Sequence, residues 1–204
     1  YEIGVRLVGS EMCIRDSNYG VTSIMVDRSS LSYEDNIAQT KETVKMCRPL
    51  NISVEAELGH VGQGVDYSSD GSDHFTNPEE ARKFVEETGI DCLAVAIGTA
   101  HGRYHGTPHI DFDLLKQITD IVDIPLVLHG GSGTGDENLR KAVKNGIQKV
   151  NLATELVVAG KEELETFIQD KNFDKWQLIP SFIKGYSDRL EHYVKLFDQE
   201  NRAW

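Results

Sequence analysis

Two histidines follow short β-rich runs and are each followed by glycine, in Gly98-Thr99-Ala100-His101-Gly102 and in Leu126-Val127-Leu128-His129-Gly130. Neutral imidazole is the most common metal ligand, and a catalytic zinc takes three protein ligands with one position left open. The pair reads as two thirds of such a site. The competing reading is that both line a mouth, where they bind substrate or pack. Either histidine alone would favour that second reading, whereas the repeated order of strand, histidine and glycine favours ligation. His105 lies four residues after His101, a spacing that serves a metal only on a helix. Gly102, Gly106 and Pro108 argue against a helix there. His105 and His109 are therefore expected in a loop. His60, His74 and His192 belong to no motif and are expected on the surface.

Carboxylates stand at comparable places. Asp27 and Glu57 end two earlier β-rich runs, where they could bind a second metal or orient a ligating histidine. A rim carboxylate bonded to backbone is the alternative. Glu55 shares the face of Glu57 by the two-residue period of a strand, so the pattern does not say which of them ligates. Gly130-Gly131-Ser132-Gly133 sits between a strand and a helix. Glycines there let backbone N–H groups approach a phosphate, and Ser132 adds a hydroxyl; a plain tight turn is the other reading. Asn151-Leu152-Ala153-Thr154 ends the next strand and could form the other half of a phosphate clamp, with Thr154 also a candidate helix N-cap.

These residues need a scaffold that brings strand ends together. β-rich runs at Ser23–Asp27, Ile52–Leu58, Leu93–Ile97, Pro125–Leu128 and Gln148–Leu152 alternate with helical patterns. The helices are expected over Tyr33–Met46, Pro78–Thr88, Asp113–Val122, Asp136–Asn145, Thr154–Gln169 and Pro180–Phe197. Apolar strands alternating with helices imply a parallel sheet covered by helices. Polar and glycine residues cluster at the C-terminal end of each strand in turn, as at the mouth of a (β/α)8 TIM barrel. A doubly wound sheet would gather its ligand groups at one switch point. About five βα units are legible, so the expected fold is an α/β barrel incomplete at its N-terminus. Residues 1–17 show neither helical nor strand periodicity and read as a foreign segment, with the barrel part over residues 18–204.

The net charge of -12 over 204 residues argues against nucleic acid and anionic membranes as partners. A small anionic substrate stays compatible with it, because a local group of N–H donors can hold phosphate in an acidic protein. Cys13, Cys47 and Cys92 have no metal-type spacing, which suggests packing thiols and a reduced, cytoplasmic setting. The apolar runs are too short for a membrane span.

In order and spacing, VEAELGHVG, AVAIGTAHG, PLVLHGGSG and KVNLATEL resemble the class II fructose- and tagatose-bisphosphate aldolases. The resemblance runs from about Val21 to Leu156, and beyond it the chain matches only in helical character. It implies reversible cleavage of a ketose 1,6-bisphosphate to dihydroxyacetone phosphate and glyceraldehyde 3-phosphate, with Zn2+ as Lewis acid. It puts His101 and His129 at two zinc-ligand positions. Gly102, Gly130, Gly131, Ser132 and the stretch Asn151, Leu152, Ala153 and Thr154 match positions that hold the triose phosphate. Asp27 and Glu57 match positions that bind a second divalent metal in some members, and carbonyls near Gly102 and Gly130 match a monovalent-cation site. A homo-oligomer, dimer or tetramer, is also implied.

Two departures accompany the resemblance. The family's first zinc histidine and its catalytic aspartate lie in a His-x-Asp-His motif, and nothing before Asn18 matches it. The acid–base group therefore has no candidate, and this chain alone is expected to bind zinc weakly at most and to be inactive. Many members also carry a glutamate in the loop after Glu57, where this chain has Val65 with Asp66 as a weak substitute. A non-catalytic sugar-phosphate- or partner-binding barrel is the alternative to a lyase, and a metal-dependent sugar-phosphate isomerase is a third reading.

Overall fold

A computed structural model describes residues 20–62, 75–102, 104, 106 and 108–202. Five strands, β1 (Ser23–Val26), β2 (Ser53–Leu58), β3 (Cys92–Val95), β4 (Leu126–Leu128) and β5 (Ile147–Val150), form one sheet. They are separated by α1 (Tyr33–Cys47), α2 (Pro78–Thr88), α3 (Phe112–Thr119) and α4 (Asp136–Lys144), and α5 (Thr154–Phe167) and α6 (Leu178–Leu196) follow β5. Every pairing is parallel and in chain order, β1-β2-β3-β4-β5. A doubly wound sheet would reverse its order at a switch point. Unbroken order is the wall of an α/β TIM barrel, an incomplete one of five strands among the described residues.

Local chemistry sets the element ends. Ser32, Asn77 and Asp111 accept the backbone N–H three residues on, at the starts of α1, α2 and α3. Each such cap is worth about 1 kcal/mol. Pro78 occupies the first turn of α2, and Gly89 ends that helix in the left-handed conformation.

Some expected boundaries move. β3 ends at Val95 rather than Ile97, α3 at Thr119 rather than Val122, and β5 covers Ile147–Val150 rather than Gln148–Leu152. Asn151 still extends the β5 ladder, donating its N–H to the Leu128 carbonyl at 2.9 Å. Thr154 is the first residue of α5, not its N-cap; Ala153 takes that place without a side-chain bond of its own. The segment 1–17, Asp66, His74 and His105 lie outside the described residues.

The pleat sorts the strands into two faces. Val54, Ala56, Leu58, Leu93, Val95, Leu126, Leu128 and Ile147 join one apolar core beneath the helices, with Phe84, Leu115, Ile118 and Leu139 contributed from the helical side. Burying a side chain of this size contributes roughly 1.5–3 kcal/mol. The register puts Glu55 opposite Cys92, Glu57 opposite Ala94, Ala94 opposite Val127, and Val127 opposite Lys149. Residues in register share a face, so these residues line the other, barrel-facing side.

Candidate metal and phosphate site

The inner face of β2 sets two carboxylates two residues apart, Glu55 and Glu57, both almost fully buried. His129, in the residue after β4, sits between them. Its Nε2 lies 2.9 Å from Glu55 Oε1, and its Nδ1 lies 3.0 Å from Glu57 Oε2. The first contact is a hydrogen bond. The second is close but misaligned, so Glu57 Oε2 and His129 Nδ1 are both buried without a hydrogen-bond partner. Once Nδ1 has lost its proton, two electron-pair donors at that distance are suited to a cation held between them.

His101 completes the group. Its ring centroid is 5.6 Å from that of His129, and its backbone N–H donates to the Gly62 carbonyl at 2.8 Å. Ligand atoms of Glu57, His101 and His129 all lie within 4.8 Å of one another, so three donors converge as a divalent-metal site requires. Sequence spacing does not decide between Glu55 and Glu57; here Glu57 belongs to the converging group and Glu55 stands behind His129.

Both carboxylates have fixed orientations. Glu57 Oε1 accepts from Val61 N at 3.0 Å and from Ser29 Oγ at 3.1 Å, which leaves Oε2 to face the histidines. Glu55 Oε2 takes Lys149 Nζ at 2.6 Å and Cys92 Sγ at 3.6 Å. Burial pushes the Glu55 carboxyl up, but the bonds from His129 and Lys149 outweigh it and hold the group below its usual range. Burial also opposes charge on His129, yet Glu55 and Glu57 raise its pKa from 6.5 to about 9. The pocket favours a positive charge at the ring, as metal sites rich in carboxylates do. Burial, followed by the charge of Glu55, pushes the Cys92 thiol up to about 11.

Asp27 lies outside the converging three. It is exposed, and its Oδ1 accepts from Ser29 N at 2.9 Å and from Ser29 Oγ at 2.7 Å. His60 is exposed, as expected, but it is tied into the same chain, its Nδ1 3.0 Å from Ser29 Oγ. His109 is an exposed loop residue, and His192 pairs with Asp136 between α6 and α4.

The glycine turn after β4 lies against the start of α5. A Cβ at Gly130 would meet the Ala100 carbonyl oxygen at 2.2 Å, and one at Gly131 would meet Val150 Cγ1 at 2.8 Å. Gly130 also has φ +66°, so glycine is required for both space and conformation. Gly131 N donates to Asn151 O at 3.1 Å. Ser132 Oγ accepts from Ala153 N at 3.2 Å and from Glu155 N at 3.4 Å, capping α5 from the neighbouring loop. Thus Gly130, Gly131 and Ser132 come together with Asn151, Ala153 and Thr154, and Leu152 packs partly buried against the core. Gly102 is exposed, with φ +87°, beside His101.

Three participants escaped the sequence reading. Ser29 links Asp27 to Glu57, Lys149 anchors Glu55, and the Tyr104 hydroxyl lies 2.8 Å from Ala100 O and 2.9 Å from Gly130 O. The Gly130 carbonyl, expected near a monovalent cation, thus faces a tyrosine hydroxyl. A tyrosine in a glycine-rich loop gives no periodic signal, and the placement of Lys149 depends on a strand irregularity.

Comparison with known proteins bears on this geometry. A family model described as fructose-bisphosphate aldolase class-II matches residues 9–202. An uncharacterized Escherichia coli K12 protein, YdjI, is 42% identical over 190 residues, covering 91% of this chain and 66% of YdjI. The chain therefore spans just under two thirds of that relative's length. A crystal structure of the YdjI aldolase from Escherichia coli K12 superposes with a TM-score of 0.81 at 35% identity, covering 96% of this chain and 68% of that one. A putative fructose-1,6-biphosphate aldolase from Coccidioides immitis gives a TM-score of 0.79 at 30% identity, over 95% of this chain and 69% of the other. Fructose-bisphosphate aldolase from Campylobacter jejuni shares the fold at a TM-score of 0.73 and 22% identity, over 93% of this chain and 65% of its own.

Proposed function

This chain belongs to the class II fructose-bisphosphate aldolase family, and we propose that it carries the metal- and phosphate-holding part of a ketose-bisphosphate aldolase. The reaction is reversible aldol cleavage of fructose or tagatose 1,6-bisphosphate to dihydroxyacetone phosphate and glyceraldehyde 3-phosphate. The observation that carries this reading is that Glu57 Oε2 and His129 Nδ1, buried 3.0 Å apart with no hydrogen bond between them, converge with His101. Two imidazoles and one carboxylate suit Zn2+.

A divalent cation there would act as a Lewis acid on the ketose carbonyl. The chain's own residues do the positioning. Val61 N and Ser29 Oγ turn Glu57 so that one oxygen faces the cation. Bonds from Gly131 N to Asn151 O and from Ala153 N and Glu155 N to Ser132 Oγ hold the glycine turn against the N-terminus of α5, whose helix dipole favours a phosphate there. Fixing the phosphate at a distance from the reacting carbons uses remote binding energy to orient them. Gly102, Asn151, Leu152, Ala153 and Thr154 belong to this substrate-holding set in the same reading, and Asp66 is a weak candidate for proton transfer.

The reading extends to a second divalent metal at Asp27 and Glu57 and a monovalent cation near Gly102 and Gly130. Residues 18–204 form its aldolase part and residues 1–17 are foreign to it, although the family-model match begins at residue 9. A homo-oligomer is supported by Trp176, Ile179 and Ile183, large apolar side chains exposed at and near the start of α6. A cytoplasmic setting belongs to the same reading, and Cys92 keeps its thiol, which donates to Glu55 Oε2 at 3.6 Å. Among the described residues no helix is long and apolar enough to cross a membrane.

The test is to sequence the source gene upstream of the Asn18 codon and to assay its full product on both ketose bisphosphates. The expected result is an encoded His-x-Asp-His strand end and release of triose phosphates that stops on chelation. Full activity after exhaustive chelation would sink the proposal. A gene beginning with Tyr1–Ser17 as written would favour the non-catalytic binding barrel.

A further inference from the structure

We propose that Lys149 is a positioning residue for His129, acting through Glu55; this rests on the metal-site reading above. Strand register decides which way Lys149 points. Leu126 pairs with Ile147, but Val127 pairs with Lys149, so β5 carries one extra residue, Gln148. Without it, the residue opposite inward-facing Val127 would be Gln148, and Lys149 would point to the helices. Bulges re-aim side chains in this way next to functional sites. The displaced Gln148 is itself accommodated, its Oε1 accepting from Leu126 N at 2.6 Å.

Turned inward, Lys149 reaches across the sheet from β5 to β2 and holds Glu55 Oε2 at 2.6 Å. The Glu55 side chain is only 3% exposed, whereas that of Lys149 is 52% exposed. The lysine therefore brings charge from the open side to a carboxylate that has little water to solvate it. With Oε2 anchored, Oε1 is fixed against His129 Nε2 at 2.9 Å. That bond places the ring proton on Nε2 and turns Nδ1 toward Glu57 Oε2 and His101, as a ligating imidazole requires. Among the described residues Lys149 reaches the site through its bond to Glu55.

The test compares the unaltered chain with Lys149→Met and Lys149→Arg. Zinc affinity is measured by competition with a chromophoric chelator, and the His129 Nε2 proton is followed by 15N–1H NMR with and without zinc. Lys149→Met is expected to weaken zinc binding about 10- to 100-fold, as outer partners of metal ligands do. It is also expected to lose the protected Nε2 proton, while Lys149→Arg keeps both properties. Circular dichroism confirms that each variant is folded. A protected Nε2 proton in Lys149→Met overturns the proposal, whatever happens to zinc. Loss of that proton in a chain whose unaltered form binds no zinc upholds the orienting role and instead defeats the metal reading it was built on.

Discussion

The two faces of strand β2 are equally buried and do opposite things. Val54 and Ala56 face the helices at 1% and 0% exposure, and Glu55 and Glu57 face the barrel interior at 2% and 1%. On the outer face, burial is its own reward: apolar groups leave water and pack. On the inner face, burial is a cost offset by specific partners, Lys149 and His129 for Glu55, and Ser29, Val61 and the His129 ring for Glu57. Depth therefore does not mark function in this wall. Polar atoms left at depth without a hydrogen bond distinguish the inner face, Glu57 Oε2 and His129 Nδ1 among them.

The contrast breaks most visibly under matched substitutions. Leu93→Ala on the outer face is expected to cost about 2–5 kcal/mol of stability, read from urea unfolding, and to leave zinc affinity of the folded chain unchanged. Glu57→Ala on the inner face should abolish zinc-induced stabilisation, seen as a melting temperature that no longer rises with zinc. If Leu93→Ala removed zinc binding as completely as Glu57→Ala does, the two faces would not be separable.

The second difference lies in pH. The folded pKa of His129 is raised from 6.5 to about 9, so its contribution to stability is full below 6.5 and is lost as pH rises through about 9. In excess chelator, the melting temperature should fall across that window. With zinc present the direction reverses, because the metal and the proton compete for the ring and affinity grows with pH. His129→Gln should flatten both trends. Parallel slopes with zinc and with chelator would contradict ligation by His129.

Smaller effects sharpen the comparison. Ser29→Ala removes one support of Glu57 Oε1 and should weaken zinc binding about tenfold in the chelator competition, with Val61 N still in place. On the outside of the barrel, His192→Ala breaks an exposed pair with Asp136 and should change stability by no more than about 1 kcal/mol.

Much of this was readable from residues alone. The outer face announces itself by period, as in Val54, Ala56 and Leu58, and the helix starts by their caps, Ser32 and Asn77. His101, His129 and the Gly130–Ser132 turn were legible because strand ends in an alternating β/α chain converge. Three things were not. Choosing Glu57 over Glu55 needs the ring orientation of His129, a three-dimensional fact. Lys149 faces inward only because Gln148 is bulged, and hydrophobic patterning carries no mark of one extra residue in a strand. Thr154 looked like a helix cap, but the capping hydroxyl comes from Ser132, on another unit of the barrel.

The most direct measurement is anomalous diffraction from a zinc-soaked crystal of this chain, recorded on both sides of the zinc absorption edge. The account predicts one dominant peak bounded by Glu57 Oε2, His129 Nδ1 and the His101 ring, and its loss in Glu57→Ala. A dominant peak elsewhere, or none at that point with zinc in excess, would contradict it.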